Sequence, residues 1–340
     1  MIKEAISLLI DGKSLTFEQA AEVMEEITTG EVTPAQFGAF VTALRIKGES
    51  VDEIAGLASV MRAKSVRVET KEPAIDIVGT GGDGSRSFNI STAAAFVAAG
   101  AGLKVAKHNN RAMTSQCGSA DVLEALGINI ELNAEQVREC IEKVGIGFMF
   151  APLFHPSMKF AAAPRRELGV RTVFNILGPL TNPALVEAQV LGVASENLGE
   201  KMIQVLQCLG TRRAFVVHGL NGMDEITVAG KSRVWELGDG EITQFDIAPG
   251  DFGVNESGIK TLAGGTAEEN AIMLRSVLEG NKGARRNAVV MNAAAGIALN
   301  SANKGLPALK AAAALAREAI DSGKARGKLE SLIRTSQSYG

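Results

Sequence analysis

The sequence predicts an α/β protein, with a small all-helical N-terminal domain over residues 1–66 and a large α/β domain over 74–340 built on a mostly parallel central sheet. Three observations carry this. Helix signals alone fill residues 1 to about 65. From Ala74 short apolar strands alternate with helical segments, the order that gives a parallel sheet covered by helices. The exception is Val234 to Ile247, broken at Gly238-Asp239-Gly240, which reads as a hairpin and hence an antiparallel edge.

In the N-terminal part three helix starts carry capping boxes: Thr16 with Gln19, Thr33 with Gln36 (Pro34 at the first helical position), and Ser50 with Glu53. Apolar stripes follow at helical spacing, Phe37, Phe40, Val41 and Leu44 on one helix and Ile54, Leu57, Ala58 and Met61 on the next. Such stripes are core or subunit interface. The charged run Arg67 to Pro73 reads as a linker. Strands are expected at Ile75–Val78, Lys104–Ala106, Phe148–Ala151, Ala188–Val193, Ala214–Val217 and Ala288–Met291. Helices are expected at Ala134–Val144, Asn197–Leu209 and Ala267–Leu278, with a helical alanine-rich tail from Leu306 to Ile333. The basic, turn-rich stretch from Lys159 to Pro179 breaks the pattern. A return to the helical domain near 160–182, walling a cleft, accounts for it.

Composition narrows the function classes. With 46% apolar and 21% charged residues the chain is typical of a soluble enzyme, and its net charge of −3 supplies no basic field for nucleic acid. Cys117, Cys140 and Cys208 fit neither a disulfide framework nor a metal spacing, which suits a reducing cytoplasm. Neither a secretory leader nor a bilayer span is legible, so a cytoplasmic protein without membrane contact is expected.

Two segments speak about chemistry. Asp76-Ile-Val-Gly-Thr-Gly-Gly-Asp83 empties a strand into glycines, then runs through Ser87, Asn89, Ile90, Ser91 and Thr92 into the alanine helix Ala93–Ala99. Backbone N–H groups and a helix N-terminus there favour an anion. The spacing is neither the dinucleotide fingerprint nor a Walker loop. Asp83 would repel a bare phosphate, which suggests a sugar or a metal beside it. Ser91 is a candidate Mg²⁺ ligand. The second segment, Lys107-His108-Asn109-Asn110-Arg111, leaves another strand ahead of Ser115 and Ser119, and its two cations suit a multiply charged phosphate ester. Asp224-Glu225 follow a glycine-rich turn. Neighbouring strand residues face opposite ways, so these carboxylates serve one Mg²⁺ only if a loop turns them together. Arg165, Arg166 and Arg171 include a candidate carboxylate clamp.

Taken together the motifs at 79–83, 89–92, 107–111, 118–127, 174–183 and 224–225 closely resemble the anthranilate phosphoribosyltransferase family over nearly the whole chain. The resemblance implies a homodimer through the helical domain and a site at the hinge. There phosphoribose passes from 5-phosphoribosyl 1-diphosphate to the amine of anthranilate, with inversion, in tryptophan biosynthesis. It implies that Gly79, Gly82, Asp83, Ser87 and the run Asn89-Ile90-Ser91-Thr92 hold the diphosphate substrate. Lys107, His108, Asn109, Asn110 and Arg111 share that task, as do Ala112, Met113, Thr114, Ser115 and Ser119. Ser91, Asp224 and Glu225 would hold Mg²⁺, and Lys107, Asp224 and Glu225 are the catalytic set. Gly79, His108, Asn110, His155, Arg165 and Pro179 would receive anthranilate.

The chain departs from the family at Asn109, where a glycine is usual; asparagine tolerates left-handed φ but adds bulk. Two rival functions remain in view. A nucleoside phosphorylase of this architecture uses a different lysine-and-serine loop, not found here. A non-enzymatic nucleic-acid-binding relative would need a basic groove.

Overall fold

The structure is a computed structural model describing residues 1–112 and 116–340. Its architecture is the one expected: N-terminal helices ahead of a seven-stranded, mostly parallel sheet. The helices are α1 (Ile2–Ile10), α2 (Phe17–Thr29), α3 (Pro34–Lys47) and α4 (Val51–Ala63). All three capping boxes form, each satisfying two backbone donors that the helix leaves open. Glu53 does more than cap. Its carboxylate is fully buried, accepts the Leu15 N–H at 2.9 Å and pairs with Lys47 Nζ at 2.9 Å, so it ties three segments together.

The strands are β1 (Ala74–Gly79), β2 (Lys104–Asn109), β3 (Ile146–Phe150), β4 (Ala188–Gly192), β5 (Arg213–Gly219), β6 (Ser232–Gly238) and β7 (Glu241–Ile247). They lie in the order β3-β2-β1-β4-β5-β6-β7. The first five are parallel, and the expected hairpin β6–β7 supplies the antiparallel edge. From β1 the chain crosses through α5 (Ile90–Gly100) to β2 on one side, whereas β4 enters on the other. The order thus reverses between β1 and β4, and the crevice beyond such a reversal is where open α/β sheets bind ligands.

One expectation fails. Ala288–Met291 is not a strand but the middle of a buried helix, Ala284–Ala298. An apolar run buried on all sides loses the periodicity that separates helix from strand, and here alanine's helix preference decides. This helix lies so close to β1 that a Cβ on Gly296 would run into Ile77. The alanine-rich tail is helical as expected, in two pieces (Gly305–Asp321 and Lys324–Gln337) separated at Gly323 with φ +76.

Alternation along the central strands sends Val190, Phe215, Val217 and Val234 into one core with α5 and the helix Ala284–Ala298. Leu191, Val216, Trp235 and Leu237 enter the other, which they share with α1–α4 and the helix Glu196–Cys208. The helix Lys159–Leu168 packs against α2 and α3, and its Arg165 lines a cavity together with the ends of β1 and β2. Among the described residues no helix is long and apolar enough to cross a membrane.

Candidate active site

The glycine turn after β1 is shaped by what surrounds it. Gly81 and Gly82 have φ of +71 and +70, a region glycine enters without strain. On Gly79 a Cβ would meet the Asp224 carboxylate, and on Gly82 it would meet the Arg171 guanidinium. A larger residue at either place would push a charged group out of position.

Asp224 and Glu225 lie not in a strand but in the loop between β5 and β6, so the alternation that would separate them does not apply. Asp224 Oδ2 accepts the Gly81 N–H at 2.6 Å, and Glu225 Oε1 accepts the Ser91 N–H at 3.1 Å. Asp83 joins them, its Oδ2 accepting the Asp224 N–H at 3.3 Å. Asn292 fixes this loop from the buried helix, accepting from Ile226 N at 2.9 Å and donating to Ile226 O at 2.9 Å. A lone amide within an alanine run was its only signal in the sequence.

Burial, reinforced by the charge of Asp83, raises the Asp224 pKa to about 7. Burial also lifts Glu225 well above the usual carboxylate range, with Asp224 adding to the rise. This surplus of negative charge is what a divalent cation would neutralise. Among the described residues no three acidic, histidine or cysteine side chains are grouped to hold a metal unaided. Mg²⁺ takes one or two carboxylates and completes its shell with substrate phosphates and water, so Asp224, Glu225 and Ser91 fit it.

Lys107 stands elsewhere than the sequence suggested. Strand β2 continues through Asn109, pairing Lys107 with Phe148 and Asn109 with Phe150, so Lys107 is a strand residue and not part of a loop. It is 1% exposed, donates to the Ile77 carbonyl and lies 3.4 Å from Ser91 Oγ. Burial lowers its pKa, opposed by the charges of Asp76 and Glu225. Arg111 also departs from expectation. It is already ion-paired with Asp121 at 3.1 Å and with Glu124, so its charge is not free for a phosphate.

A cavity opens in front of the glycine turn, with a second beside it. The first, about 260 Å³, is walled by Gly79 to Gly82, by His108 to Ala112, by Ser119 and Pro179, and by Arg165 and Arg171. The second, about 320 Å³, adds His155, Pro156 and Met158 and shares His108, Asn110, Arg165 and Phe174 with the first. Within it the His108 and His155 rings meet at a tilt of 55°, 4.9 Å between centroids, and neither Nε2 has a partner among the described residues. His108 Nδ1 lies 3.1 Å from the Gly178 carbonyl. Burial drives both imidazoles neutral, His108 to about 3 with the neighbouring His155 adding to the shift, and His155 to about 4. Arg165 has no carboxylate partner among the described residues, and its guanidinium lies 5.2 Å from the Phe174 ring centroid.

The remaining expected residues divide. Ser87, Asn89, Ser91 and Asp83 lie behind the glycine turn and wall neither cavity. The Asn89 amide is engaged by Asn270 at 2.9 Å. Ile90 and Thr92 are buried, at 1% and 0% exposure, because α5 is packed on the sheet; the Thr92 hydroxyl has no hydrogen-bond partner among the described residues. Met113, Thr114 and Ser115 lie outside the described residues.

Residues 71–326 match the family model described as glycosyl transferase family, a/b domain, and residues 3–65 its helical bundle domain. An anthranilate phosphoribosyltransferase from Dehalococcoides mccartyi is 59% identical over 340 residues, covering 99% of each chain. One from Acetivibrio thermocellus is 51% identical, covering 100% of this chain and 98% of its own. The crystal structure of anthranilate phosphoribosyltransferase from Thermus thermophilus superposes with a TM-score of 0.91 at 44% identity, covering 98% of this chain and 99% of that one. The Saccharomyces cerevisiae enzyme, solved in complex with PRPP and Mg, superposes with a TM-score of 0.90 at 30% identity, covering 99% and 98%.

Proposed function

The chain belongs to the anthranilate phosphoribosyltransferase family, and on that premise we propose that it transfers phosphoribose from 5-phosphoribosyl 1-diphosphate to the amine of anthranilate. The products are N-(5-phosphoribosyl)anthranilate and diphosphate, a step of tryptophan biosynthesis. One observation carries the reading. The cavity beyond the ends of β1, β2 and β3 has a glycine turn with an acidic pair behind it at one end and, at the other, Arg165, whose guanidinium has no carboxylate partner among the described residues.

The donor's diphosphate lies against the Gly79–Gly82 turn, near the N-terminus of α5, whose dipole favours an anion; the Thr80, Gly81 and Ser91 N–H groups are themselves engaged by Gly192, Asp224 and Glu225. Asp224, Glu225 and Ser91 would hold Mg²⁺, which would supply positive charge to offset that on the departing diphosphate. Lys107 acts from below, its ammonium beside the Ser91 hydroxyl keeping that side of the turn positive. Arg165 takes the acceptor's carboxylate, and the neutral His108, His155, Asn110 and Pro179 shape the pocket around its ring. The aromatic amine is uncharged near pH 7, so its nitrogen attacks without prior deprotonation. The anomeric C–O bond breaks, the C–N bond forms on the opposite face, and the surplus proton leaves nitrogen for solvent. Catalysis then rests on positioning and electrostatics rather than on a protein nucleophile.

The decisive assay follows anthranilate fluorescence in the presence of phosphoribosyl diphosphate, with and without Mg²⁺. Loss of fluorescence only in the complete mixture supports the reading; constant fluorescence overturns it. The protein works in the cytoplasm as a homodimer joined through the helical domain. Ile10 and Ile46, 72% and 82% exposed on the mutually packed helices α1 and α3, support that face as the contact. Light scattering that returns a monomer mass would refute the dimer.

A further inference from the structure

We propose that the Asn109 side chain reads the ribose hydroxyls of the phosphoribosyl donor, an inference that rests on the function proposed above. Asn109 closes β2 at the rim of the first cavity and is 5% exposed. Neither its Oδ1 nor its Nδ2 has a hydrogen-bond partner among the described residues. Buried amides are almost always satisfied, so one with both ends open beside a ligand cavity calls for a complement from the cavity's occupant.

Position along the strand says which half of the site it serves. Side chains alternate on β2, which puts Asn109 on the same face as Lys107, the face turned toward Ser91 and the diphosphate end. His108 takes the opposite face, toward Gly178 and His155. Asn109 therefore belongs to the donor's half and not the acceptor's.

Hydrogen-bond chemistry narrows the partner further. A phosphate or carboxylate only accepts, so it would satisfy Nδ2 and leave Oδ1 facing an anion. An aromatic amine is a poor acceptor and would serve Oδ1 alone. A vicinal pair of sugar hydroxyls satisfies both atoms, one donating to Oδ1 and the other accepting from Nδ2. A pocket that holds an amide for a hydroxyl discriminates against a substrate lacking it, because the amide is then left unpaired.

The test compares kcat/KM for phosphoribosyl diphosphate with that for donors lacking the 2- or the 3-hydroxyl, in the full-length parent and in Asn109→Ala. The parent prefers the ribosyl donor, and N109A shrinks that preference by about tenfold. N109A also raises KM for the donor while leaving KM for anthranilate in place. A ratio taken within one preparation does not depend on how much of the variant folds. Normal parent turnover with an unchanged ratio in N109A overturns the inference alone, the amide then merely filling space. Failure of the parent to use the ribosyl donor at all overturns the functional reading and this inference with it.

Discussion

The Asp224 carboxylate accepts the Gly81 N–H at 2.6 Å, joining residues 143 apart in sequence. This bond sets the back of the glycine turn against the acidic loop. It also explains why Gly79 tolerates no side chain, since a Cβ there would meet the same carboxylate.

Asp224→Asn separates the bond from the charge. The amide oxygen still accepts from Gly81, so the turn keeps its shape. The negative charge offered to Mg²⁺ disappears, and kcat should fall by about a hundredfold or more. Relief of the crowding with Asp83 and Glu225 should raise Tm at the same time, the opposition expected where a site stores electrostatic strain. Fluorescence turnover and a thermal melt check both halves. Retained turnover with a lowered Tm would contradict the assignment.

Lys107 offers a second separation. Its cation offsets Asp76, whose carboxyl is fully buried and held by Asn182 at 2.8 Å. Lys107→Met should cost about 1–3 kcal/mol by leaving the Asp76 carboxyl without that compensation. Adding Asp76→Asn should recover most of the stability, since the uncompensated buried acid is then gone. Turnover should stay low in both variants because the positive charge beside Ser91 is missing from both. Denaturant titration with activity measured in parallel decides it. Recovery of activity in the double variant would remove Lys107 from the catalytic set.

Much of this was legible in the sequence because local rules and tertiary context agree there. The capping boxes at Thr16, Thr33 and Ser50 form as written, and the glycines between Asp76 and Asp83 mark the turn that faces the cavity. Legibility failed where burial removed the pattern. The segment Ala288–Met291 is apolar on every side, so nothing distinguished strand from helix. Charge alone did not reveal that Lys107 lies within the sheet against the Ile77 carbonyl, or that Arg111 is paired with Asp121 and Glu124. A basic side chain near glycines reads the same whether it meets a ligand, a buried carbonyl or an acidic neighbour. Pairings such as Asn292 with Ile226 depend on long-range packing that no local spacing encodes.

The adjacent, buried His108 and His155 make stability fall in mild acid. Both pKa values lie far below the imidazole's ordinary value near 6.5, at about 3 and about 4, because burial opposes the charged form. The unfolded chain therefore takes up protons first. The stability of the neutral pair is complete above about pH 6.5 and drains as pH falls toward the folded values. By pH 5 each ring should account for about 2 kcal/mol of that loss. Denaturant unfolding of parent and His155→Gln at pH 7 and pH 5 measures it. The variant should lose less stability between the two pH values than the parent does; equal losses would show that His155 is not held neutral.

Arg165 separates the two substrates. Its guanidinium has no carboxylate partner among the described residues, lies over the Phe174 ring at 5.2 Å and faces both cavities. Burial lowers its pKa, so an anion brought beside it gains from a charge that water screens weakly. The acceptor's carboxylate is that anion in the proposed reaction. Arg165→Ala should raise KM for anthranilate by about ten- to a hundredfold while KM for the donor changes little. Arg165→Lys should restore only part of the loss, because an ammonium cannot offer the two parallel N–H groups of a guanidinium. Aniline, which lacks the carboxylate, supplies the sharpest comparison. If Arg165 grips that group, R165A should penalise anthranilate far more than aniline. An equal penalty for both acceptors, or one confined to the donor, would place Arg165 on the wrong substrate.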